Sequence, residues 1–311
     1  MKKIFWLILT IIYSNCIMEE TAEIEDSNIK KAELLDKSET CSKKNDCILE
    51  ETAEIEDSNI EKAELLDKSE PCIKKYDSEK RKKIEKMYPG LYENRQENIR
   101  FRKNLRSSCE NDPKRNDNVK FFKGEIKSQP DGDFIDNILT KWKGNYKLLE
   151  EHHGYIQWLF PNKEPGMNYL SQPLQLHELD KLKSDSESVE KLLKSFELML
   201  DFYGMELNKK PVGFKRSENY KKRYQNLIRN RHNFLRISRI LKCLADFDLE
   251  EYQIEWIKFL IEESFVNQEL SDLDRSITQF YVHTIKNDEK RHEIIKQIEL
   301  KIIQFILNEK I

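Results

Sequence analysis

Two pairs of side chains in this sequence have the spacing of a metal-binding motif. Glu150 and His153 form one Glu-x-x-His pair, and Glu289 and His292 form the other. This spacing places a carboxylate and an imidazole on one helix face, as in di-iron carboxylate proteins, where such sites lie in an apolar bundle core. Here two basic residues stand inside the second pair, and a glycine directly follows the first. Surface positions that share the spacing by chance are therefore favoured over a di-iron enzyme.

Other patterns that indicate catalysis or a tightly held cofactor do not occur. The sequence contains no phosphate-binding GxxxxGK[ST] loop, no dinucleotide-binding GxGxxG turn and no GxSxG nucleophile elbow. Its six cysteines include no CxxC pair, so a structural zinc site is not expected. Cys243 lies on an apolar helical stripe, which indicates a buried free thiol. We therefore predict a protein that is not an enzyme and holds no cofactor or metal.

Residues 215–242 concentrate positive charge. Ten Lys and Arg residues stand there against one acidic residue, Glu218. A basic patch on helices is a feature of nucleic-acid-binding proteins, but solvated helix faces usually explain such runs. The net charge of -3 gives no indication of nucleic acid or of an anionic membrane. These basic residues suit a binding site for a peptide's C-terminal carboxylate equally well, because Arg offers two parallel donors. Alternatively, Arg223 and Arg236 pair with carboxylates of the core.

The elements that must position these residues are helices. Apolar residues after Val119 recur at steps of three and four, as in Leu192, Phe196 and Leu200. All eight Gly and all eight Pro lie between residues 71 and 213, so the 98 residues that follow contain neither. Strand-rich folds need turn residues every 8–12 positions. The sequence predicts an all-α, irregular multi-helix domain over residues 118–311.

Some helix ends can also be predicted. Ser184 and Glu187 have the spacing of a capping box, which predicts that a helix begins at Ser184, and Gly204 predicts its end. A later stripe predicts one more amphipathic helix, through Leu273, Ile277, Phe280 and Tyr281.

The N-terminal third has a different composition. Lys2-Lys3 and the apolar run that follows make residues 1–16 resemble a signal peptide, too short to span a bilayer. This predicts a membrane-associated or secretory location, with an uncleaved anchor as the alternative. Residues 17–117 are charged and poor in aromatics, and residues 16–29 return at 47–60, an offset of 31 residues. We predict that this third is largely disordered or transiently helical.

Several strings are too specific to be explained by packing alone. The chain reads His153-Gly154-Tyr155-Ile156-Gln157-Trp158-Leu159-Phe160-Pro161, then Gly166-Met167-Asn168-Tyr169, and later His232-Asn233-Phe234-Leu235-Arg236-Ile237-Ser238-Arg239. Over about residues 118–291, the sequence resembles the conserved domain of the opioid growth factor receptor family. The resemblance implies a receptor for an enkephalin-type peptide that restrains cell proliferation. It also implies the nucleus or its envelope as the alternative location.

The resemblance supplies no binding residues, so these are predicted from residue types. Aromatic and Arg side chains are enriched at binding hot spots. We expect a pocket that holds an aromatic side chain of the peptide, and an Arg that meets its carboxylate. The candidates are Tyr155, Trp158 and Phe160 for the pocket, and Arg223, Arg236 and Arg239 for the carboxylate. The alternatives are that these residues are structural, and that the domain is a helical protein- or nucleic-acid-interaction module without opioid binding.

Overall fold

The computed structural model describes residues 80–92, 95–104 and 111–308. They belong to one unit, which spans Cys72–Ile311. The predicted signal-like segment at residues 1–16 and the 31-residue duplication lie outside the described residues. In the part of the chain that the structure describes, no helix has both the length and the apolar character needed to cross a membrane.

Helices make up most of the described residues. Residues 80–87 form helix α1. The other regular elements are α2 Gln96–Arg102, α3 Asp117–Phe122, α4 Ile135–Lys141, α5 Tyr146–Glu151, α6 Ile156–Leu159, α7 Leu176–Ser184, α8 Ser186–Tyr203, β1 Met205–Lys209, β2 Val212–Arg216, α9 Tyr220–Arg229, α10 His232–Asp246, α11 Glu250–Ile261, α12 Asp274–Ser276 and α13 Asp288–Asn308. Short π- and 3-10 turns fill the interval between α11 and α13, at Glu262–Val266, Ser271–Leu273, Ile277–Tyr281 and Val282–Thr284.

The predicted all-α class is confirmed, with one addition, an antiparallel hairpin of β1 and β2. Met205 pairs with Arg216 at its open end. The hairpin rests on α11, because the indole nitrogen of Trp256 lies 3.3 Å from the Met205 sulfur. Phe214 of β2 also packs on Phe259, with ring centroids 6.2 Å apart. A two-stranded hairpin is marginal alone, so this helix packing stabilises it.

Helix α8 begins later than predicted. Its N-cap is Asp185, whose carboxylate accepts a hydrogen bond from the Ser188 backbone N–H at 3.0 Å. The Ser184 hydroxyl donates instead to the Lys181 carbonyl of the preceding helix, at 3.0 Å. The predicted capping box of Ser184 with Glu187 is therefore wrong. Asp is as good an N-cap as Ser. Asp185 is also the one residue between the end of α7 and the start of α8, which is the N-cap position.

Leu273, Ile277 and Tyr281 of the predicted apolar stripe are buried and Phe280 is half-buried, but the stripe does not lie on one regular helix. The chain passes from α12 into a π-turn at Ile277–Tyr281. The Thr278 hydroxyl donates to the Asp274 carbonyl at 2.9 Å, and the Tyr281 hydroxyl donates to the Phe234 carbonyl of α10 at 3.0 Å. The hydrogen bond from Tyr281 joins the π-turn to a helix distant in sequence, and the spacing of apolar residues does not reveal such a contact.

Residues before the predicted boundary at 118 also pack in the described domain. Ile84, Leu91 and Phe101 are buried. Arg102 of α2 donates to the His283 carbonyl at 3.0 Å. A few buried apolar residues therefore anchor a segment whose composition is mostly charged.

Helix α10 carries a fully buried face. Ile237, Ile240, Leu241 and Leu244 are inaccessible to solvent. Cys243 on the same helix is a buried free thiol, which confirms its prediction. Arg236 and Arg239, two of the candidate ligand contacts, also lie on α10, and Arg223 lies on α9.

Candidate ligand-binding surface

The three aromatic side chains predicted to line a pocket belong to the core. Tyr155 and Phe160 are 0% exposed and Trp158 is 2% exposed. The Tyr155 hydroxyl donates to the Leu149 carbonyl at 2.9 Å, and the Trp158 indole N–H donates to the Gln129 carbonyl at 3.0 Å. Burial is favourable because both polar groups find internal partners. The expected pocket is therefore corrected: these side chains offer no surface to a ligand in this conformation.

Arg236 binds the end of a helix. Its guanidinium donates to the carbonyls of Leu149 at 2.9 Å and His152 at 3.2 Å, where α5 ends. It also donates to the Asn233 side chain at 3.1 Å. The last carbonyls of a helix lack partners within it, and positive charge is favourable there. Arg236 is thus a C-terminal cap supplied by another helix.

Arg239 and Arg223 have the same role at two other helix ends. The Arg239 Nε donates to the Phe160 carbonyl just after α6, at 2.8 Å. The Arg223 Nε donates to the Phe202 carbonyl near the end of α8, also at 2.8 Å. Gly204 ends α8 as predicted, with a φ of 85°. The three candidate arginines therefore cap helices, and each donates to at least one backbone carbonyl.

Most of the remaining charge of residues 215–242 is also paired. Four residues form ion pairs with carboxylates, namely Lys215 with Glu206, Arg216 with Glu263, Arg231 with Asp272, and Lys242 with Glu97. Among the described residues, Lys221, Lys222 and Arg229 on the exposed face of α9 have no such partner. The basic stretch is therefore mainly structural.

Glu150 lies at the centre of a polar cluster. Its carboxylate accepts hydrogen bonds from the side chains of Asn226 and Asn233, and its Oε1 lies 2.7 Å from the His232 Nε2. The ring of His153 lies 5.3 Å from that of His232. Burial, followed by the positive charge of Arg236, lowers the pKa of His153.

This cluster accounts for the first Glu-x-x-His pair as a hydrogen-bonded group. Glu289 and His292, the second pair, are exposed near the start of α13. Across residues 80–92, 95–104 and 111–308, no group of three or more His, Cys, Asp or Glu side chains is arranged to hold a metal ion. Neither pair therefore supplies a candidate metal centre in the described domain.

A surface loop at residues 166–171, which we call the presented loop, exposes large apolar side chains. Met167 is 91% exposed and Tyr169 is 90% exposed. Leu170 is partly exposed beside them. Contiguous exposed apolar side chains of this size mark interaction sites in soluble proteins. The loop is therefore the best candidate for contact with a ligand or partner.

The backbone of the presented loop is fixed from below. The Asn168 side chain donates to the carbonyls of Gly154 at 3.0 Å and of Gln129. Its oxygen accepts from the Leu170 backbone N–H at 3.0 Å. The Ser171 hydroxyl donates to the Asn168 carbonyl at 2.8 Å. Asn168 thus holds the loop while the side chains on either side of it point to solvent.

The buried aromatic string forms the base of this loop. The Gln129 carbonyl accepts from both Trp158 and Asn168. A Cβ added at Gly166 would lie 2.7 Å from the Gln157 Cγ and 2.9 Å from an Arg239 nitrogen, so the chain approaches the base closely there. Trp158 and Arg239, which were predicted to contact the ligand, therefore lie beneath the presented loop and support it. Gly166-Met167-Asn168-Tyr169 stands out in the sequence as a motif, but its residues do not show that Met167 and Tyr169 are exposed. The signal for exposure is the polar connection around the motif, which contains Gly and Pro.

A cleft of about 430 Å³ lies beside the presented loop. Tyr169 and Leu170 form part of one wall, and Lys114 and Arg115 supply positive charge. Arg115 lies 3.6 Å from Asp112, whereas Lys114 has no ion pair among the described residues. The surface therefore combines exposed apolar groups with an available cation.

The fold and the presented loop define an all-α domain with a fixed, exposed apolar surface, a feature of domains that bind other molecules. Residues 111–304 match the family model for the opioid growth factor receptor conserved region. Because this match covers more than half of the chain, the chain belongs to the opioid growth factor receptor family.

Curated relatives agree with this assignment. The opioid growth factor receptors of Mus musculus and Homo sapiens are 42% identical over 179 residues, which is 57% of this chain and 28% and 26% of theirs. The Mus musculus opioid growth factor receptor-like protein 1 is 35% identical, over 58% of this chain and 39% of its own length. The chain therefore spans between a quarter and two fifths of the length of these relatives. No solved structure matches it. The relatives are named as receptors or receptor-like proteins.

Proposed function

We propose that this chain is a receptor-type binding protein that takes a short opioid-type peptide on the presented loop and the cleft beside it. The observation that carries the proposal is the exposure of Met167 and Tyr169 on a loop that Asn168 holds in place. A preformed loop costs less conformational entropy on binding than a mobile one. A binding role without catalysis also agrees with the names of the relatives.

The names of the relatives support an opioid ligand, and the family resemblance implies an enkephalin-type peptide such as Tyr-Gly-Gly-Phe-Met. Its apolar Phe and Met side chains suit contact with Met167 and Tyr169. Its C-terminal carboxylate suits the cleft, where Lys114 is the available cation. This assignment moves the carboxylate partner away from Arg223, Arg236 and Arg239, each of which already donates to a backbone carbonyl.

The proposal can be tested by calorimetric titration of the full chain with Tyr-Gly-Gly-Phe-Met and with its C-terminal amide. We expect saturable binding of the free acid and weaker binding of the amide. Tyr169→Ala and Met167→Ala should each weaken binding about five- to tenfold, as hot-spot truncations do. Met87→Ala is the matched control, because Met87 is a partly exposed methionine on α1.

Two results would contradict parts of this proposal. Unchanged affinity in both loop variants would place the peptide elsewhere on the molecule. Absence of saturable binding of either peptide form would exclude the opioid ligand and favour the alternative, a helical module that binds another protein. The presented loop suits that alternative too, because its apolar side chains project from the surface and could enter a groove on a partner.

A nucleic-acid partner has weaker support. Of the basic stretch at 215–242, only Lys221, Lys222 and Arg229 are exposed without an ion pair among the described residues. Nucleic-acid affinity that falls steeply with salt, and that is lost when these three residues become Ala, would favour this alternative.

We also propose that the chain restrains cell growth, as the family resemblance implies, and reaches a membrane or secretory compartment through residues 1–16. The apolar run after Lys2-Lys3 supports that location. N-terminal sequencing of protein from fractionated cells tests it, since an intact Met1 in nuclear protein would favour the nuclear alternative. Expression of wild type and Tyr169→Ala at equal levels tests growth control, which should depend on the loop.

A further inference from the structure

A second cleft lies in a part of the molecule that the peptide proposal does not use. It has a volume of about 330 Å³ and is formed by α1, the residues just after it, and α13. We call it the α1–α13 cleft. It is large enough for a small organic molecule. Its lining residues are Arg81, Tyr92, His283, Arg291, His292, Ile295, Lys296 and Glu299.

Positive charge predominates in the α1–α13 cleft. Arg81, His292 and Lys296 are exposed and have no ion pair among the described residues. The Arg81 guanidinium lies 4.3 Å from the centre of the Tyr92 ring, a contact that leaves its charge unneutralised. Glu299 is the one acidic residue in the lining. A concave site with this balance attracts anions.

Of two neighbouring groups, Arg291 is already occupied, whereas the buried Tyr92 hydroxyl has no hydrogen-bond partner among the described residues. Arg291 donates to the Ile285 carbonyl at 2.9 Å and pairs with Asp288. Burial and the adjacent Glu299 carboxylate raise the pKa of Tyr92, so its hydroxyl stays neutral. The free cations of the described lining are therefore those of Arg81 and Lys296, and the exposed His292 ring adds a hydrogen-bonding group.

His283 supplies a buried, unpartnered acceptor in the lining of this cleft. The side chain is 1% exposed, and its Nε2 lies 2.9 Å from the Gly90 carbonyl and 3.1 Å from the Thr278 carbonyl. Carbonyls only accept hydrogen bonds, so Nε2 carries the proton and Nδ1 has a bare lone pair. Nδ1 has no hydrogen-bond partner in the described part of the chain. A buried polar atom without a partner is uncommon, and a ligand can supply the missing donor.

The protonation state of His283 agrees with this assignment. Burial, together with the positive charges of Arg102 and Arg291, lowers the pKa of His283. The ring is therefore neutral at neutral pH, and its Nδ1 needs a hydroxyl or N–H donor. A simple anion satisfies the surface cations but not this acceptor.

We propose that the α1–α13 cleft binds a small phosphate monoester that also carries a hydroxyl group. The phosphate oxygens meet Arg81, His292 and Lys296. The hydroxyl donates to Nδ1 of His283 once the side chains that cover this buried atom move aside. Several converging cations favour a dianionic phosphate over a single carboxylate. The site is independent of the presented loop, so each can fail without the other.

Calorimetry with the full chain tests the proposal, using glycerol 3-phosphate, inorganic phosphate and glycerol as probes. We expect glycerol 3-phosphate to bind most tightly, inorganic phosphate at least fivefold more weakly, and glycerol not at all. Arg81→Ala and Lys296→Ala should each weaken the binding of glycerol 3-phosphate at least fivefold. Lys290→Ala is the matched control, because Lys290 lies on α13 outside the cleft and pairs with Glu250.

The hydroxyl contact has its own readout, the long-range proton–nitrogen NMR spectrum of the histidine rings. Saturation with glycerol 3-phosphate should shift the His283 Nδ1 resonance upfield, since that nitrogen then accepts a hydrogen bond, and inorganic phosphate should shift it less. This measurement needs no substitution of a buried residue. Equal binding in all three variants, no saturable binding of glycerol 3-phosphate, or an unchanged Nδ1 resonance at saturation would overturn the proposal.

Discussion

The role of Arg236 depends on backbone carbonyl groups, which every residue carries. Its guanidinium lies among the Leu149 and His152 carbonyls. The sequence marks Arg236 as part of a specific string, but backbone acceptors carry no sequence signal. Sequence reasoning therefore considered carboxylate partners, either in a ligand or in the core. Only the arrangement of α5 against α10 identifies the helix end as the partner.

We expect Arg236→Ala to destabilise the protein by about 3 kcal/mol, because the His152 carbonyl loses its donor and the Leu149 carbonyl keeps only that of Tyr155. Urea denaturation measures the change in the free energy of unfolding. Arg229→Ala, at an exposed position on α9, should change it by less than about 0.5 kcal/mol. Loss of peptide binding by Arg236→Ala without any change in the denaturation midpoint would instead support direct contact between Arg236 and the ligand.

A second prediction concerns the residue that fixes the presented loop. Asn168→Ala removes the donors to the Gly154 and Gln129 carbonyls, so residues 166–171 should become mobile. Peptide affinity should fall, although Asn168 is not itself assigned a ligand contact, and stability should fall by about 1–2 kcal/mol. Amide hydrogen exchange across the loop provides the direct check. Unchanged protection from exchange would show that Asn168 does not fix the loop.

At the scale of elements, the start of α8 makes a prediction about pH. The Ser188 hydroxyl, and next the Lys123 ammonium, lower the pKa of Asp185 to about 2. A carboxyl whose pKa is lower in the folded state stabilises that state above its unfolded pKa of about 3.9, and the contribution is lost as pH falls toward 2.

Asp185→Asn is the matched variant, since Asn also caps helices but carries no charge. The difference in denaturation midpoint between wild type and Asp185→Asn should be largest near pH 6 and should shrink at pH 3. A difference that is the same at both pH values would mean that the charge of Asp185 contributes nothing to the cap.

Helices whose apolar spacing and end residues agree were predictable from the sequence. Gly204 ends α8, and the residues after Gly213 are predominantly helical. The hairpin was missed, although Pro211 at its turn gave a signal, because its strands have little alternation of burial. The π-turn at Ile277–Tyr281 could not be predicted, since its hydrogen bonds include one to another helix.

At the scale of the whole molecule, the segment before residue 111 contributes to stability. Ile84, Leu91 and Phe101 are buried in the described domain. Full burial of one large apolar side chain is worth about 1.5–3 kcal/mol. A fragment of residues 80–311 should therefore be more stable than one of residues 111–311 by more than about 3 kcal/mol, measured by urea denaturation. Equal stability of the two fragments would show that α1 and α2 add nothing to the fold.

The candidate site was only partly predictable at this scale. The string around Trp158 directed attention to the region of the presented loop, but its apolar residues lie in the base and the neighbouring residues 166–171 form the surface. The spacing of apolar residues in the sequence does not show whether a side chain is buried or exposed, because exposure depends on what packs above that side chain. The exposed positions, Met167 and Tyr169, are defined only after Asn168 and Gly166 are placed.

The helix caps have a consequence for how the molecule opens. Arg236 and Arg239 of α10 hold the ends of α5 and α6, so neither short helix can fray at its C-terminus without breaking a contact with α10. Short helices normally exchange their amide hydrogens through local fraying, at a low free energy of opening. We therefore expect the amides of residues 146–159 to exchange together with those of α10, and the surface above them to open only with that larger unit.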